Sequence, residues 1–217
     1  MQITIVGAGS GISRSVAALF GSKGYRVGLI ARSEEKLRAE VAALAQAGIQ
    51  ASYAVGDAGR VASLAAALAD IHGARGPADM ILYNALTRVA PPPLETQTWE
   101  SIVQQLDVNV GGAFNLLKMY LPACKKQDKG KLFFTGGGLS LQPVLELAGL
   151  GMSKAALRNL VGAAARSVQG SNVHVATLTI NGIISPDDYR YNPALIAEQF
   201  WRLFEQPREA FETEVTY

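Results

Sequence analysis

Three glycines, Gly7, Gly9 and Gly11, follow a short apolar segment at residues 3–6, and this spacing suits the binding of a phosphate. Glycine lets the backbone approach a pyrophosphate closely because no Cβ is in the way. Where such a turn leads into a helix, free N–H groups and the helix dipole stabilise the anion. Glycine-rich turns also occur without any ligand, so the surrounding elements decide between the two interpretations.

The elements around the turn favour the interpretation that it binds a dinucleotide. Residues 13–23 carry apolar side chains on one helical face, and residues 25–31 are almost entirely apolar, which predicts a strand, a helix and a second strand around the turn. At the end of the second strand, where an acidic residue would accept hydrogen bonds from the adenosine ribose, the chain has Arg32 and Ser33. A guanidinium and a hydroxyl suit a 2′-phosphate, although Arg32 could also be a solvated residue at a strand end. We therefore expect NADP(H) rather than NAD(H).

Apolar segments alternate with amphipathic ones along the rest of the chain. This pattern predicts helices at residues 34–47, 61–71, 96–119 (one long or two joined) and 149–168, and strands at 49–55, 80–83, 131–135 and 173–180. The aromatic residues near the end predict a last helix and a last strand, at 197–204 and 211–215. Irregular loops are expected at the three prolines 91–93 and at residues 185–193. The alternation indicates one Rossmann-like α/β domain over residues 1–217, with a doubly wound parallel sheet of about seven strands and helices on both faces.

Composition narrows the class of protein. The 217 residues are 49% hydrophobic, which suffices for one well-buried domain, and the net charge of +2 comes from interspersed charges that predict no nucleic-acid partner. The single cysteine, Cys124, excludes an internal disulfide and fits a reducing compartment. The two histidines, His72 and His174, lack metal-ligand spacing, and no apolar run is long enough to cross a membrane. We expect a cytoplasmic protein without a metal.

The order of these landmarks resembles the short-chain dehydrogenase/reductase family over nearly the whole chain. Residues 6–13 are similar to the family's Thr-Gly-x-x-x-Gly-x-Gly turn, with Val6 in place of threonine and Ser13 in place of the last glycine. Asp57 matches the aspartate that contacts adenine, residues 83–86 (Tyr-Asn-Ala-Leu) resemble the Asn-Asn-Ala-Gly segment over the adenosine, and residues 181–183 (Asn-Gly-Ile) take the place of the Pro-Gly turn beside the nicotinamide. Each could alone be an ordinary turn or cap. The implied cofactor-binding residues are Gly7, Gly9, Ser10, Gly11, Ile12, Arg32, Ser33, Asp57, Ala58, Asn84, Ala85, Lys154, Gly182 and Ile183.

The resemblance is weaker in the catalytic half. Lys154 aligns with the lysine of the family's Tyr-x-x-x-Lys motif, which puts the tyrosine position at Leu150, and the family spacing puts the catalytic serine at Gly137. The mid-helix asparagine that helps to hold a water relay corresponds to Asn109. Because the tyrosine serves as general acid/base and the serine orients the substrate carbonyl, the resemblance leaves two of four roles vacant. Lys154 could still bind the nicotinamide ribose, or be an ordinary helix lysine.

Two functions remain open at this point. One is an NADP-dependent oxidoreductase of a carbonyl or alcohol substrate in which water or another side chain delivers the proton. The candidate replacement groups are Thr135, Ser140, Glu146, Tyr83, Tyr189 and Tyr191. The other is a nucleotide-binding sensor or scaffold subunit without turnover. In either case, helices at 98–119 and 149–168 resemble the family's dimer contacts, so we expect a homo-dimer or homo-tetramer.

Overall fold

The computed structural model describes residues 1–73, 76–87 and 94–217. Its strands form a single sheet in which every neighbouring pair is parallel, in the order β3-β2-β1-β4-β5-β6-β7. The strands are β1 (Gln2–Val6), β2 (Arg26–Ala31), β3 (Ala51–Val55), β4 (Met80–Tyr83), β5 (Gly130–Thr135), β6 (Val173–Thr179) and β7 (Glu214–Thr216). This topology confirms the predicted doubly wound parallel sheet of seven strands.

The α-helices lie between the strands in sequence. They are α1 (Ile12–Ser22), α2 (Glu34–Gln46), α3 (Val61–His72), α4 (Trp99–Leu106), α5 (Gly112–Gln127), α6 (Ala148–Arg166) and α7 (Pro193–Glu205). One face of the sheet packs against α1, α2 and α7 through residues such as Ile5, and the other against α3, α5 and α6 through residues such as Val6. Successive strand residues point to opposite faces, so the apolar runs of the central strands fill both cores.

The predicted helix at residues 96–119 is correct in being two joined segments but wrong at its end. A π-helical turn, Asp107–Gly111, connects α4 to α5, and α5 continues to Gln127. Pro122 lowers the helical tendency of this stretch, yet Leu121 and Cys124 beside it pack against the core and maintain the helix. The helix ends where Asp128 adopts a left-handed conformation with φ of 47°.

Two strands begin later than the apolar pattern predicts. Tyr25 and Ile49 are buried, but their N–H groups close the preceding helices by donating to the carbonyls of Phe20 and Leu44. The last helix and strand are confirmed as α7 and β7, and an irregular segment joins β6 to α7. The predicted proline loop at residues 91–93 lies outside the described residues. Over the described ranges, no helix is long and apolar enough to span a bilayer.

Candidate functional site

The turn after β1 requires glycine at its first position. Gly7 has φ of +92°, and a Cβ there would lie 2.3 Å from the backbone nitrogen of Ala85. The N–H groups of Gly7 and Ala8 both donate to the carbonyl of Ile30, at 2.9 and 3.0 Å. A Cβ at Gly9 would meet nothing within 4 Å, and the same holds at Gly11. The turn is therefore tightly held against β2 and β4 while the space above it stays open.

The Ser13 side chain stabilises this turn through two hydrogen bonds. Its hydroxyl donates to the carbonyl of Gly7 at 2.9 Å and accepts from the side-chain amide of Asn84 at 2.7 Å. The side chain is buried. Helix α1 starts just before it, and no side chain from the described part of the chain caps the amino end of that helix. Its first N–H groups are thus available to an anion above the turn.

A cavity of about 590 Å³ lies beside the turn at the carboxyl ends of β1, β2 and β4. It brings together seven of the predicted cofactor-binding residues. These are Gly7, Arg32, Ser33, Asp57, Ala58, Asn84 and Ala85. The other predicted positions on the turn and near β6 do not line it. They are Gly9, Ser10, Gly11, Ile12, Lys154, Gly182 and Ile183.

Two cationic side chains lie where the cavity meets the carboxyl end of β2. Arg32 and Lys36 both line it, and within the described ranges neither side chain has an ion-pair or hydrogen-bond partner. Ser33 between them is the N-cap of α2, and its hydroxyl accepts from the N–H of Lys36 at 3.4 Å. Sequence reasoning missed Lys36. Its position one turn after the cap residue was the available signal, because that spacing returns a side chain to the face of Ser33.

Asp57 follows β3 on the opposite wall. Its carboxylate accepts from the N–H of Gly59 at 2.9 Å and lies 3.7 Å from the guanidinium of Arg60. The hydroxyl of Ser63 accepts from the backbone N–H of Asp57. These contacts hold the carboxylate at the cavity wall, which is the placement that the prediction for Asp57 requires.

Asn109 is buried in the π-helical turn and does not line the cavity. Its side-chain oxygen accepts from the N–H of Thr87 at 2.8 Å, and its amide donates to the carbonyl of Thr87 at 3.2 Å. The π-helical turn and the loop after β4 are therefore joined by both ends of one amide. Asn109 positions the cavity wall, since Thr87 is part of that wall.

Lys154 lies on α6, one turn after Leu150. Its ammonium donates to the carbonyl of Thr135 at 2.7 Å, and burial lowers its pKa to about 8. A Cβ placed on Gly137 would lie 3.4 Å from Cε of Lys154. The structure thus brings Gly137 and Lys154 together at the carboxyl end of β5.

The candidate replacement acids differ sharply in their surroundings. Tyr83 is buried and its hydroxyl donates to the carbonyl of Val108 at 2.5 Å, so burial raises its pKa and removes it as a proton donor. Tyr191 packs its ring on Gly182, while Tyr189 is 90% exposed and Glu146 is exposed. The side-chain oxygens of Thr135 and Ser140 are buried without a hydrogen-bond partner among the residues described.

Comparison with known proteins agrees with this geometry. A family model described as short chain dehydrogenase matches residues 2–188. This chain belongs to the short chain dehydrogenase family. Among solved structures, a metagenomic short-chain oxidoreductase in complex with NADP superposes on this chain with a TM-score of 0.89 and 28% identity, covering 100% of this chain and 96% of the other. A short-chain dehydrogenase from Rhodopseudomonas palustris superposes with a TM-score of 0.87 and 26% identity, covering 100% of this chain and 97% of the other.

Curated relatives of this chain include 3-dehydrosphinganine reductase TSC10B of Arabidopsis thaliana. It is 30% identical over 192 residues, which are 82% of this chain and 53% of the relative. A putative ketoacyl reductase of Streptomyces coelicolor is 31% identical over 128 residues, 58% of this chain and 48% of the relative. The chain thus spans about half the length of these two relatives.

Proposed function

We propose that this short chain dehydrogenase binds NADP(H) along the carboxyl edge of its sheet and acts as an oxidoreductase of a carbonyl or alcohol substrate. The observation that carries the cofactor assignment is the pair of cations, Arg32 and Lys36, at the end of the cavity beside the glycine turn, neither of which has a side-chain partner among the described residues. A 2′-phosphate placed there would receive charge-assisted hydrogen bonds from both, with the Ser33 hydroxyl between them. The related structure at 28% identity is a complex with NADP, which supports the same choice.

The rest of the cofactor would follow the sheet edge. The pyrophosphate would lie over Gly9 and Gly11 at the amino end of α1, because the space there is open and the helix N–H groups face it. The nicotinamide end would approach Lys154 and the turn at Gly182. When bound, the nicotinamide supplies or accepts the hydride, and the chain supplies orientation and the proton.

The mouth of the site favours an apolar substrate. Leu86 after β4, Leu141 and Val144 after β5, and Ile183 after β6 are all exposed. Because parallel strands end at the same edge of the sheet, we expect these residues to lie along that edge. We propose a carbonyl compound that carries an apolar chain. The names of the reductases from Arabidopsis and Streptomyces are consistent with this class.

A second candidate function is nucleotide binding without turnover, as a sensor or a subunit of a larger assembly. It rests on Gly137 and Leu150, which lack the hydroxyls that the family uses. For either function we propose a homo-dimer or homo-tetramer, because Trp99, Phe114 and Met152 expose apolar surface on α4, α5 and α6.

Calorimetric titration tests the cofactor proposal. NADPH should bind more tightly than NADH, and Arg32→Ala or Lys36→Ala should each weaken NADPH about 10-fold or more, since hydrogen bonds between charged groups are worth about 1.5–3 kcal/mol. Neither change should affect NADH much. Arg202→Ala, an exposed arginine on α7, is the matched control. Equal affinity for NADPH and NADH would contradict the assignment of the two cations, and no binding of either would refute the proposal.

A further inference from the structure

Two neighbouring glycines at the carboxyl end of β5 are flanked by polar side chains from two other elements. A Cβ on Gly137 would lie 3.4 Å from Cε of Lys154, which is on α6. A Cβ on Gly138 would lie only 2.2 Å from Oδ1 of Asn181, which follows β6. The absence of a side chain at Gly138 thus makes room for the Asn181 amide, and Gly137 lies in ordinary contact distance of the Lys154 side chain.

The backbone around Asn181 is fixed from both sides. The carbonyl of Ile180 accepts from the N–H of Gly138 at 2.8 Å, and the N–H of Asn181 donates to the carbonyl of Tyr217 at 2.7 Å. Asn181 is exposed, and among the described residues its side-chain amide has no hydrogen-bond partner. A side-chain amide on a fixed backbone position, with its N–H groups free to donate, is the kind of group that can stabilise a developing oxyanion.

The surroundings of Lys154 suit a proton donor. Its only hydrogen bond in the described structure is to the carbonyl of Thr135, which accepts that bond from the ammonium but cannot neutralise its charge. Titratable side chains on the packed elements are engaged elsewhere or exposed. Arg158 pairs with Glu214 at 2.8 Å, and Asp107 and Glu146 are exposed. Burial without a counter-ion lowers the pKa of Lys154 to about 8, close to the pH at which an acid transfers protons efficiently.

We propose that Asn181 and Lys154 together replace the missing serine and tyrosine, with the Asn181 amide donating to the substrate carbonyl oxygen and the Lys154 ammonium protonating it. The proposal deepens the oxidoreductase function above and rests on it. Lys154 becomes a catalytic residue in its own right, and Asn181 becomes the group that orients the carbonyl. The substrate class stays an apolar aldehyde or ketone.

The reduction adds one hydride and one proton to the carbonyl group. Bound NADPH would supply the hydride: a C–H bond of its dihydronicotinamide would break, a C–H bond would form at the carbonyl carbon, and the C=O π pair would move to the oxygen. That oxygen takes a proton from the ammonium of Lys154, so that an O–H bond forms and an N–H bond breaks. The products are the alcohol, NADP⁺ and the neutral amine of Lys154, which regains its proton from water.

The first measurement uses the free protein and needs no activity. Competitive acylation across a pH series, followed by mass spectrometry, reports the pKa of individual lysines. Lys154 should titrate near pH 8, below the ordinary lysine value of about 10.4. The exposed Lys126 on α5 is followed in the same experiment as the internal reference. A value for Lys154 close to the ordinary lysine value would overturn its role as the acid.

The second measurement combines NADPH binding with NADPH oxidation against a panel of aliphatic aldehydes and ketones. Asn181→Asp keeps the shape of the side chain but removes the amide donor, and Lys154→Arg keeps the charge on a group that does not deprotonate. Each should lower turnover ~10²-fold or more when measured at NADPH concentrations that saturate the variant. Turnover in the wild type should fall as the pH rises above 8, since only the ammonium form can donate. Lys126→Arg is the matched control.

The outcomes distinguish a failure of the proposed function from a failure of the roles assigned to Asn181 and Lys154. Absence of NADPH binding would refute the proposed function itself. Binding without reduction of any panel member would leave cofactor binding intact and overturn the roles of Asn181 and Lys154. The same roles would be overturned if turnover survives in Asn181→Asp and Lys154→Arg, or if Ser140→Ala abolishes it while Asn181→Asp does not, because the buried Ser140 hydroxyl would then be the donor.

Discussion

The side-chain amide of Asn84 donates to the hydroxyl of Ser13 at 2.7 Å and so ties the loop after β4 to the turn after β1. The family pattern has a glycine where Ser13 stands, and the hydroxyl gives this chain a bond that glycine could not make. Ser13→Ala leaves the partly buried carbonyl of Gly7 and the amide of Asn84 without this partner. We expect it to lower the free energy of unfolding by about 1–3 kcal/mol, measured by urea denaturation. Ser22→Ala, at an exposed hydroxyl on α1, should change little.

A pair of glycine variants separates folding from binding. Gly7→Ala would place a Cβ 2.3 Å from the nitrogen of Ala85 at a positive φ, so we expect lower stability and lost NADPH affinity. Gly9→Ala meets nothing within 4 Å and should melt like the wild type. Its new methyl group faces the proposed pyrophosphate, so NADPH affinity should still fall in calorimetry. Unchanged affinity in Gly9→Ala would contradict a phosphate over this turn.

Restoring the family's hydroxyls tests the alignment of Gly137 and Leu150. A serine Cβ at residue 137 fits at 3.4 Å from Lys154, and a tyrosine at residue 150 would lie one helical turn before that lysine. The double variant Gly137→Ser, Leu150→Tyr should therefore raise carbonyl reduction ~10²-fold or more over the wild type, measured by NADPH oxidation. Continued low activity with intact NADPH binding would show that more than these two groups is missing.

Buried His174 makes the stability pH-dependent. Its Nε2–H donates to the carbonyl of Glu212, Phe211 stacks on the ring at 4.0 Å, and Nδ1 is buried without a partner among the described residues. Burial lowers the pKa of His174 to about 4, from an ordinary 6.5. The unfolded chain therefore binds a proton that the folded chain excludes, and stability falls as the pH drops from 6.5 to 4.

The expected loss from His174 reaches about 3 kcal/mol at the acid end of that window. Urea denaturation between pH 6.5 and 5 isolates the effect, because ordinary carboxylates are still ionised there. His174→Gln keeps a donor for Glu212 and does not titrate, so its stability should depend less on pH. Burial also lowers the pKa of His72, so His72 contributes to the pH dependence of stability that remains in this variant. An unchanged slope in His174→Gln would exclude His174 as the cause.

The proposed self-association is tested by light scattering. Phe114 on α5 is 52% exposed and Trp99 on α4 is 61% exposed, which is costly for a monomer in water. We expect a dimer or tetramer at micromolar concentration and a smaller species for Phe114→Asp. Tyr189→Asp, at a side chain 90% exposed in the segment before α7, should not alter the mass. A monomeric wild type would refute this proposal.

The sequence predicted the features that depend on local pattern. The glycine turn, the alternation of strands and helices, and the place of Arg32 at the end of β2 all follow from residue type and spacing over short distances. The exact start of β2 could not be predicted in this way. Tyr25 is apolar enough for a strand, but its N–H donates to the carbonyl of Phe20 and closes α1.

What the sequence missed depends on residues that are distant along the chain. The contact between Gly138 and Asn181 exists only because β5 and β6 are neighbours in the sheet, and the π-helical turn is held in place when Asn109 pairs with Thr87 across a loop. Neither relationship leaves a pattern in a single segment. Lys36 could be predicted only in part. Its distance of one helical turn from Ser33 is visible in the sequence, but only the folded cavity shows that both residues line it.

The parallel sheet also bears on how this chain folds. Ile3 pairs with Met80 and Met80 with Lys131, so the centre of the sheet joins segments that are far apart along the backbone. Each such pairing closes a long loop before any ladder contact compensates the lost chain entropy. We expect refolding to be slow relative to a helical bundle of this size, with the β1–β4 contact as a late event and the unpaired strand edges exposed to aggregation until it forms.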